Sequence, residues 1–292
     1  MAIDRLQEKI RKMKNPTVLN LSFLPEHIPQ TIMQVSGSYI KAREIYCKEL
    51  LEQLKESVPA VRFSFASFAL DGAEGLESLQ LLLQTAKNLG YYVFLDGPEA
   101  LSAQEAGRTA DILLSEDCCW YFDGLILCSY IGSDGIKPYV SKLKTVGRDL
   151  FVVARTANRS ATELQDLLTG TRLMHMANAD IANRFTQPCD TKSGYSRVGV
   201  LAAASSAESL RTLRTTYKDI FLLIDGCDYP NANAKNCSNA FDLLGHGAAA
   251  CVGLSVIAAW QESEQNDGNY LNSSFEAAIR MKKNLTRYIT IL

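Results

Sequence analysis

The side chains that could do chemistry lie directly after short apolar runs. Asp96 and Glu99 follow one such run, and Asp225 and Asp228 follow another. Carboxylates in this setting can act as general acids or bases or hold a divalent metal, and arginines there can bind an anion. The residues that share this position are Ser22, Arg62, Ser64, Asp96, Glu99, Ser129, Tyr130, Arg155, Asn158, Asp225, Asp228 and Ser255.

The elements that must position these residues alternate regularly along the chain. Short apolar runs, several of them apolar throughout, predict strands buried on both faces, as parallel sheets require. Longer helical patterns follow most of them. The runs span residues 17–22, 60–66, 92–97, 124–129, 150–156, 198–204, 220–226 and 248–254.

Eight strand–helix units predict an α/β fold, a (β/α)8 TIM barrel, whose chemistry lies at the carboxyl ends of the strands. An open doubly wound sheet is the alternative, but it would usually carry a glycine-rich phosphate turn after its first strand. We expect one domain over residues 1–292, with an extra helix at 4–14 that could close the barrel bottom. The other predicted helices span 75–89, 160–183, 206–217 and 232–244. Two long loops are predicted at 187–196 and 262–272.

Composition excludes several classes of function. The chain has 30 basic and 32 acidic residues and a net charge of −2, which argues against nucleic-acid binding. Its longest apolar stretch, 248–260, is shorter than the roughly 20 residues that span a bilayer, and its first residues lack an apolar signal core. We therefore expect a cytoplasmic protein. The eight cysteines form no C-x-x-C pair, and we expect buried, reduced thiols and no zinc site.

Short motifs along the whole chain resemble the orotidine 5′-phosphate decarboxylase family, in its longer bacterial form. Their order and near-constant spacing, rather than any single motif, carry the resemblance. The motifs are Ile3-Asp4-Arg5-Leu6, Asn15-Pro16-Thr17-Val18, Ile131-Gly132-Ser133-Asp134 with Pro138, Arg155-Thr156 with Asn158, Glu163-Leu164-Gln165-Asp166-Leu167, Gly194-Tyr195-Ser196 with Val198-Gly199, and Ala277-Ala278-Ile279-Arg280-Met281.

The resemblance implies a decarboxylase that works without metal or organic cofactor. Its lysine and paired aspartates form a D-x-K-x-x-D pattern after the third strand, and the last aspartate reaches the partner subunit's site. The lysine stabilises the carbanion and then delivers a proton. At the same place this chain keeps Asp96 but carries Pro98 at the lysine position and Leu101 at the second aspartate position.

Other positions that contact ligand in the family differ as well. The ribose-binding aspartate is replaced by Ser22, the lysine after the second strand by Arg62, and the serine that reads the pyrimidine by Ala157. The glycine-rich phosphate stretch becomes 225–232 and includes Asp225 and Asp228, and the phosphate-binding arginine becomes Leu254. The resemblance therefore implies the family's barrel and its homodimer, without its site.

Three hypotheses follow. The first, which we favour, is a non-decarboxylating binding or regulatory protein. The second is an active decarboxylase with a rearranged site. The third is a different enzyme, with or without a divalent metal, that uses Asp96, Glu99, Asp225 and Asp228. A small ligand at the barrel mouth is possible in each case.

The individual residues each have a structural interpretation too. Asp96 either binds ligand or is held by Arg62 or backbone. Arg62 and Arg155 either form an anion site or pair with carboxylates across the mouth. Asn158 and Ser129 either bind ligand or complete turns, and His175 is expected to be an ordinary histidine of a helix.

Overall fold

The eight apolar runs form the strands of one closed parallel barrel. The computed structural model describes residues 2–186, 191–230, 232–262 and 266–292. The barrel strands are β1 (Thr17–Asn20), β2 (Ala60–Ser64), β3 (Tyr92–Asp96), β4 (Gly124–Cys128), β5 (Asp149–Val153), β8 (Val198–Ala203), β9 (Leu222–Asp225) and β10 (Ala248–Val252). Two further strands, β6 (Leu168–Thr169) and β7 (Arg172–Leu173), form a separate hairpin. Around the barrel the strand order is β1-β10-β9-β8-β5-β4-β3-β2, with every neighbouring pair parallel, and the predicted TIM barrel is therefore confirmed.

Helices surround the barrel. The described residues contain no helix long and apolar enough to cross a bilayer. The α-helices are α1 (Ala2–Met13), α2 (Gln30–Ser36), α3 (Tyr39–Leu54), α4 (Phe65–Ala69), α5 (Gly72–Asn88), α6 (Ala103–Leu113), α7 (Lys137–Val146), α8 (Met174–Asn183), α9 (Ala207–Thr216), α10 (Ala234–Ser238), α11 (Leu254–Ile257) and α12 (Tyr270–Thr286). Short 3-10 turns lie at Pro25–His27, Gly132–Gly135, Arg159–Glu163, Ala259–Glu262 and Asn266–Asn269.

The extra helix α1 lies across the amino-terminal end of the barrel, as the sequence predicts. Its apolar stripe, Ile3, Leu6 and Ile10, is fully buried. From the same helix Arg5 forms an ion pair with Asp123, the residue before β4. The side-chain oxygen of Gln7 accepts a hydrogen bond from the Gly247 amide, just before β10, at 3.1 Å. These contacts close the end of the barrel opposite to the expected site.

Aromatic rings fill the barrel interior. The ring centroids of Tyr92 and Phe94 lie 4.7 Å apart, Phe94 and Phe151 lie 5.1 Å apart, and Phe151 and Phe221 lie 6.2 Å apart. All four side chains are fully buried. Gly199 makes room for this packing, because a Cβ there would lie 2.6 Å from the Phe151 ring. The interior is a packed core, so that a ligand could enter only at the carboxyl ends of the strands.

The helix predicted over 160–183 is wrong in its first half. A 3-10 turn, Arg159–Glu163, comes first, then the β6–β7 hairpin, and only Met174–Asn183 is helical. The hairpin turns at Gly170, whose φ of 66° lies in the left-handed region that glycine adopts without strain.

The helix predicted over 232–244 is shorter, spanning Ala234–Ser238. Arg214 gives a physical reason for the early end. Its guanidinium donates to the Ala240 carbonyl at 2.7 Å and to the Gly247 carbonyl at 2.6 Å. Those bonds hold the following segment in a non-helical path against the barrel.

The loop predicted over 262–272 is also partly wrong, because Asn266–Asn269 forms a 3-10 turn and α12 begins at Tyr270. Of the other predicted loop, 187–196, residues 187–190 lie outside the described part of the chain.

Candidate functional site

Arg62 occupies the centre of the barrel mouth. It lies on β2, and its guanidinium donates Nε to Asp96 Oδ1 at 2.8 Å and Nη2 to Asp96 Oδ2 at 2.9 Å. Its Nη1 donates to Asp225 Oδ1 at 2.7 Å. Asp96 ends the neighbouring strand β3, whereas Asp225 ends β9, which is three strands away from β2 in the barrel order. The Arg62 guanidinium therefore links the ends of β3 and β9, which lie on different sides of the barrel mouth.

The electrostatics of this cluster keep Arg62 charged. Burial by itself would lower the pKa of its guanidinium, but Asp96 and Asp225 outweigh burial and raise that pKa above its usual range. Burial also raises the pKa of Asp96, and the attraction of Arg62 opposes that rise. One guanidinium faces two carboxylates, so the cluster has no positive charge left for an anionic ligand.

The second arginine of the mouth, Arg155, is also engaged by a carboxylate. It follows β5 and donates Nε and Nη2 to the two oxygens of Asp166 at 2.9 and 2.8 Å. Its Nη1 donates to the Ser205 hydroxyl at 3.1 Å. The hydrogen bond from Arg155 lowers the pKa of Asp166. His175 adds to the group, with Nδ1 lying 3.2 Å from Asp166 Oδ1.

A fourth carboxylate holds the backbone that follows β10. Oδ2 of Asp228 accepts hydrogen bonds from the amides of Gly253 at 2.7 Å and Ser255 at 3.0 Å. In TIM barrels, phosphate is frequently bound between the loops after the seventh and eighth strands and a short extra helix. Here those loops follow β9 and β10, and the short helix is α11. An aspartate of the chain itself holds the amides at this place.

The loops after β5 and β9 also meet across the mouth. A Cβ on Gly226 would lie 2.5 Å from the Ala157 Cβ, and the φ of Gly226 is 69°. A larger side chain at either position would clash with the opposite loop. Little space is left on this side of the mouth.

Comparison with known proteins gives a consistent relationship over nearly the full length. The chain is 26% identical over 290 residues to orotidine 5′-phosphate decarboxylase of Caldicellulosiruptor bescii, covering 94% of this chain and 92% of that protein. It is 25% identical over 289 residues to the enzyme of the same name from Caldicellulosiruptor saccharolyticus, with the same coverage. The chain is a homologue of orotidine 5′-phosphate decarboxylases.

Solved structures share the fold of this decarboxylase homologue. A putative orotidine-monophosphate-decarboxylase from Toxoplasma gondii aligns with a TM-score of 0.76 and 18% identity, covering 97% of both chains. The OMP decarboxylase of Leishmania donovani aligns with a TM-score of 0.72 and 21% identity, over 97% of this chain and 98% of that one. A search of family models gave no match.

The remaining predicted residues of the decarboxylase homologue make local contacts. The Ser22 hydroxyl donates to Asn20 Oδ1 at 3.0 Å, and the buried Ser129 hydroxyl donates to the Val153 carbonyl at 3.2 Å. Asn158 Oδ1 accepts from the hydroxyl of Thr156, two residues earlier in the same loop.

The two positions at which the family resemblance places a lysine and an aspartate carry no ionisable group. Pro98 and Leu101 lie in the loop between β3 and α6. Leu101 is 83% exposed, and its amide donates to Glu105 Oε2 at 2.9 Å. Glu99 lies between them, and burial, followed by repulsion from Asp96, raises the pKa of its carboxyl.

The four acids of the metal hypothesis, Asp96, Glu99, Asp225 and Asp228, do not form a chelating group. Within the ranges that the structure describes, no three His, Cys, Asp or Glu side chains are placed to hold a metal ion. Arg62 lies against two of these acids, and Asp228 faces backbone amides instead.

Two residues of the mouth are absent from the site residues predicted from the sequence. They are Asp166 and Ser205, which accept hydrogen bonds from Arg155. The sequence motif that contains Asp166 is the signal that indicates this segment.

The expectation of buried thiols is wrong for Cys119 and Cys128, which are exposed; Cys118 is half-buried, and Cys189 lies outside the described residues. The other four cysteines are buried.

Proposed function

We propose that this decarboxylase homologue is a non-decarboxylating binding or regulatory protein. The observation that carries the proposal is the saturation of Arg62 by Asp96 and Asp225; by the family resemblance, Asp96 is the first position of the catalytic D-x-K-x-x-D pattern. Decarboxylation needs a positive group beside the departing carboxylate, to stabilise the carbanion and deliver a proton. Pro98 supplies neither charge nor proton, and the positive charge of Arg62 is already balanced by two carboxylates.

The phosphate side of the mouth supports the same proposal. The family's phosphate-binding arginine corresponds to Leu254, and Asp228 accepts hydrogen bonds from the Gly253 and Ser255 amides. A phosphate approaching those amides would have to displace a carboxylate and face its negative charge. At contact distance such repulsion costs about 1 kcal/mol or more, depending on the dielectric. A small ligand of this mouth would therefore be neutral or cationic.

The test is turnover of orotidine 5′-monophosphate to uridine 5′-monophosphate by purified protein. We expect no product above background, with the Caldicellulosiruptor bescii homologue as the positive control. The variant Pro98→Lys should remain inactive, because Leu101, Ser22 and Leu254 are unchanged. Activity that follows this protein through purification would overturn the proposal in favour of an active decarboxylase. Activity towards another substrate that requires a divalent metal would favour the metal-enzyme hypothesis.

We propose further that the protein forms a homodimer through the mouth loops. Three large apolar side chains in the segments after β2, β3 and β4 are highly exposed, namely Leu70, Leu101 and Tyr130. These segments leave the carboxyl ends of three neighbouring strands, and exposed apolar side chains at one end of a barrel are typical of a protein interface. The resemblance implies a partner contact at the position of Leu101, where an apolar residue now takes the place of an acid.

Sedimentation velocity tests the dimer. We expect a dimer for the native chain and a shift to monomer for Leu101→Asp. The matched control is Leu243→Asp, which changes a fully exposed leucine just before β10, at the opposite end of the barrel. A native chain that sediments as a monomer, or equal effects of both variants, would refute the interface.

We place the protein in the cytosol, since the seven cysteines among the described residues are all free, as in reducing compartments.

A further inference from the structure

A cavity of about 550 Å³ lies on the outer wall of the barrel, apart from the Arg62 cluster. It is bounded by the loop after β9, by α10 and by the end of α12. Cavities of 300–1,000 Å³ are the size that holds small organic ligands.

Two cations line this cavity without a partner of their own. Lys235, on α10, and Arg287, just after α12, are both exposed. Neither side chain makes a hydrogen bond or an ion pair within the described part of the chain, in contrast to the paired arginines of the mouth. Two unpaired positive groups at one cavity favour a ligand that carries negative charge.

Aromatic and amide groups complete the lining. Tyr229 and Tyr288 are partly exposed, at 47% and 54%, so that each offers ring surface to a ligand. The half-buried Asn284 carboxamide has no hydrogen-bond partner among the described residues and offers both a donor and an acceptor. A flat heterocycle with polar edges would use both kinds of contact.

One acid also lines the cavity, and its charge is already compensated. Asp228 directs Oδ2 to the amides of Gly253 and Ser255, at 2.7 and 3.0 Å. The loop that carries this carboxylate thus bounds both the mouth and the outer cavity. The balance of charge at the cavity remains positive, with Lys235 and Arg287 against one hydrogen-bonded carboxylate.

We propose that this outer cavity binds a small organic phosphate carrying a flat heterocycle, of the nucleoside monophosphate class. Lys235 and Arg287 bind the phosphate, the two tyrosines pack against the ring, and Asn284 bonds to its polar edge. The site shares the loop after β9 with the mouth, but Arg62, Asp96 and Asp225 do not line it, and it does not depend on whether the mouth is active.

Equilibrium binding by calorimetry at low salt tests the proposal, with adenosine 5′-monophosphate as the probe. We expect a dissociation constant below about 1 mM, with adenosine and inorganic phosphate each binding at least about tenfold more weakly. Lys235→Gln and Arg287→Gln should each weaken nucleotide binding about tenfold. Tyr288→Ala should weaken nucleotide binding and leave phosphate binding unchanged.

Two controls separate this site from others. Lys41→Gln changes an exposed lysine on α3, on another part of the surface, and should bind the probe as the native chain does. Arg159→Gln, which removes an exposed arginine from the loop after β5 on the mouth side, should also leave binding unchanged. Absence of saturable binding up to about 10 mM, an equal loss in Lys41→Gln, or a loss that follows Arg159→Gln rather than Lys235→Gln would each overturn the proposal.

Discussion

The Arg62 cluster makes a sharp prediction about stability. Replacing Arg62 with methionine keeps most of the apolar stem but leaves Asp96 and Asp225 without the cation that they share. Breaking a buried ion pair from one side costs about 3–5 kcal/mol, because an uncompensated charge stays buried. The guanidinium makes three hydrogen bonds here and is nearly buried, so we expect a loss in that range. The melting temperature should fall by about 10 °C.

The loss should also depend on pH, with a defined sign. Without Arg62, burial and the repulsion of Asp225 remain, and both raise the pKa of Asp96. A carboxyl whose folded pKa lies above its unfolded value stabilises the fold at low pH, and that stability is lost as the pH rises through the folded pKa. The deficit of Arg62→Met should therefore be smaller at about pH 5 than at about pH 8.

Urea denaturation at the two pH values measures both effects. The control variant is Arg159→Met, an exposed arginine whose replacement should change stability by less than about 0.5 kcal/mol. Adding Asp96→Asn and Asp225→Asn to Arg62→Met should recover part of the loss, since the stranded charges are then gone. A deficit below about 1 kcal/mol, or one that is equal at both pH values, would refute this account of the mouth.

Two further predictions concern the core and the second arginine. Phe151→Ala should destabilise the fold by about 3–5 kcal/mol in the same denaturation assay, because the fully buried ring of Phe151 contacts two other rings. The control is Leu243→Ala, which changes an exposed leucine and should have no measurable effect on stability. Asp166→Asn should cost about 2 kcal/mol near neutral pH. Because Arg155 lowers the pKa of Asp166, that cost should begin to fall at about pH 4, near the pKa of an unfolded aspartate, and disappear only below the lowered folded pKa. A cost independent of pH would contradict the pairing.

The strands could be predicted from the sequence because barrel strands have a strong local signal. Both faces of a parallel strand are buried, so that each strand appears as a continuous apolar run; Tyr92–Asp96 and Leu222–Asp225 are examples. The helix α9 agrees with the predicted 206–217 to within one residue at each end, whereas the helices α8 and α10 are less predictable. Their ends depend on non-local contacts such as those of Arg214 with the Ala240 and Gly247 carbonyls, which no helical period records.

The mouth could be predicted in part. Arg62 and Asp96 lie on neighbouring strands, so the sequence already offered their pairing as one alternative. The contact between Arg62 and Asp225 depends on closure of the barrel, which brings the ends of β2 and β9 together. Asp166 reaches Arg155 through an irregular loop without periodicity, and Asp228 binds backbone amides, which every residue type supplies. Neither contact leaves a pattern in the sequence.

The contacts at the mouth make physical sense as a set. Amides that serve a ligand's anion still need an acceptor when that ligand is absent, because an unpaired buried amide costs about 1–3 kcal/mol. Asp228 supplies this acceptor from within the chain. Arg62 also satisfies polar groups of the chain itself, since its planar guanidinium donates two hydrogen bonds to the Asp96 carboxylate and still reaches Asp225. A mouth whose polar groups satisfy one another needs no substrate to be stable, while the packed aromatic interior preserves the barrel independently of the chemistry at its mouth.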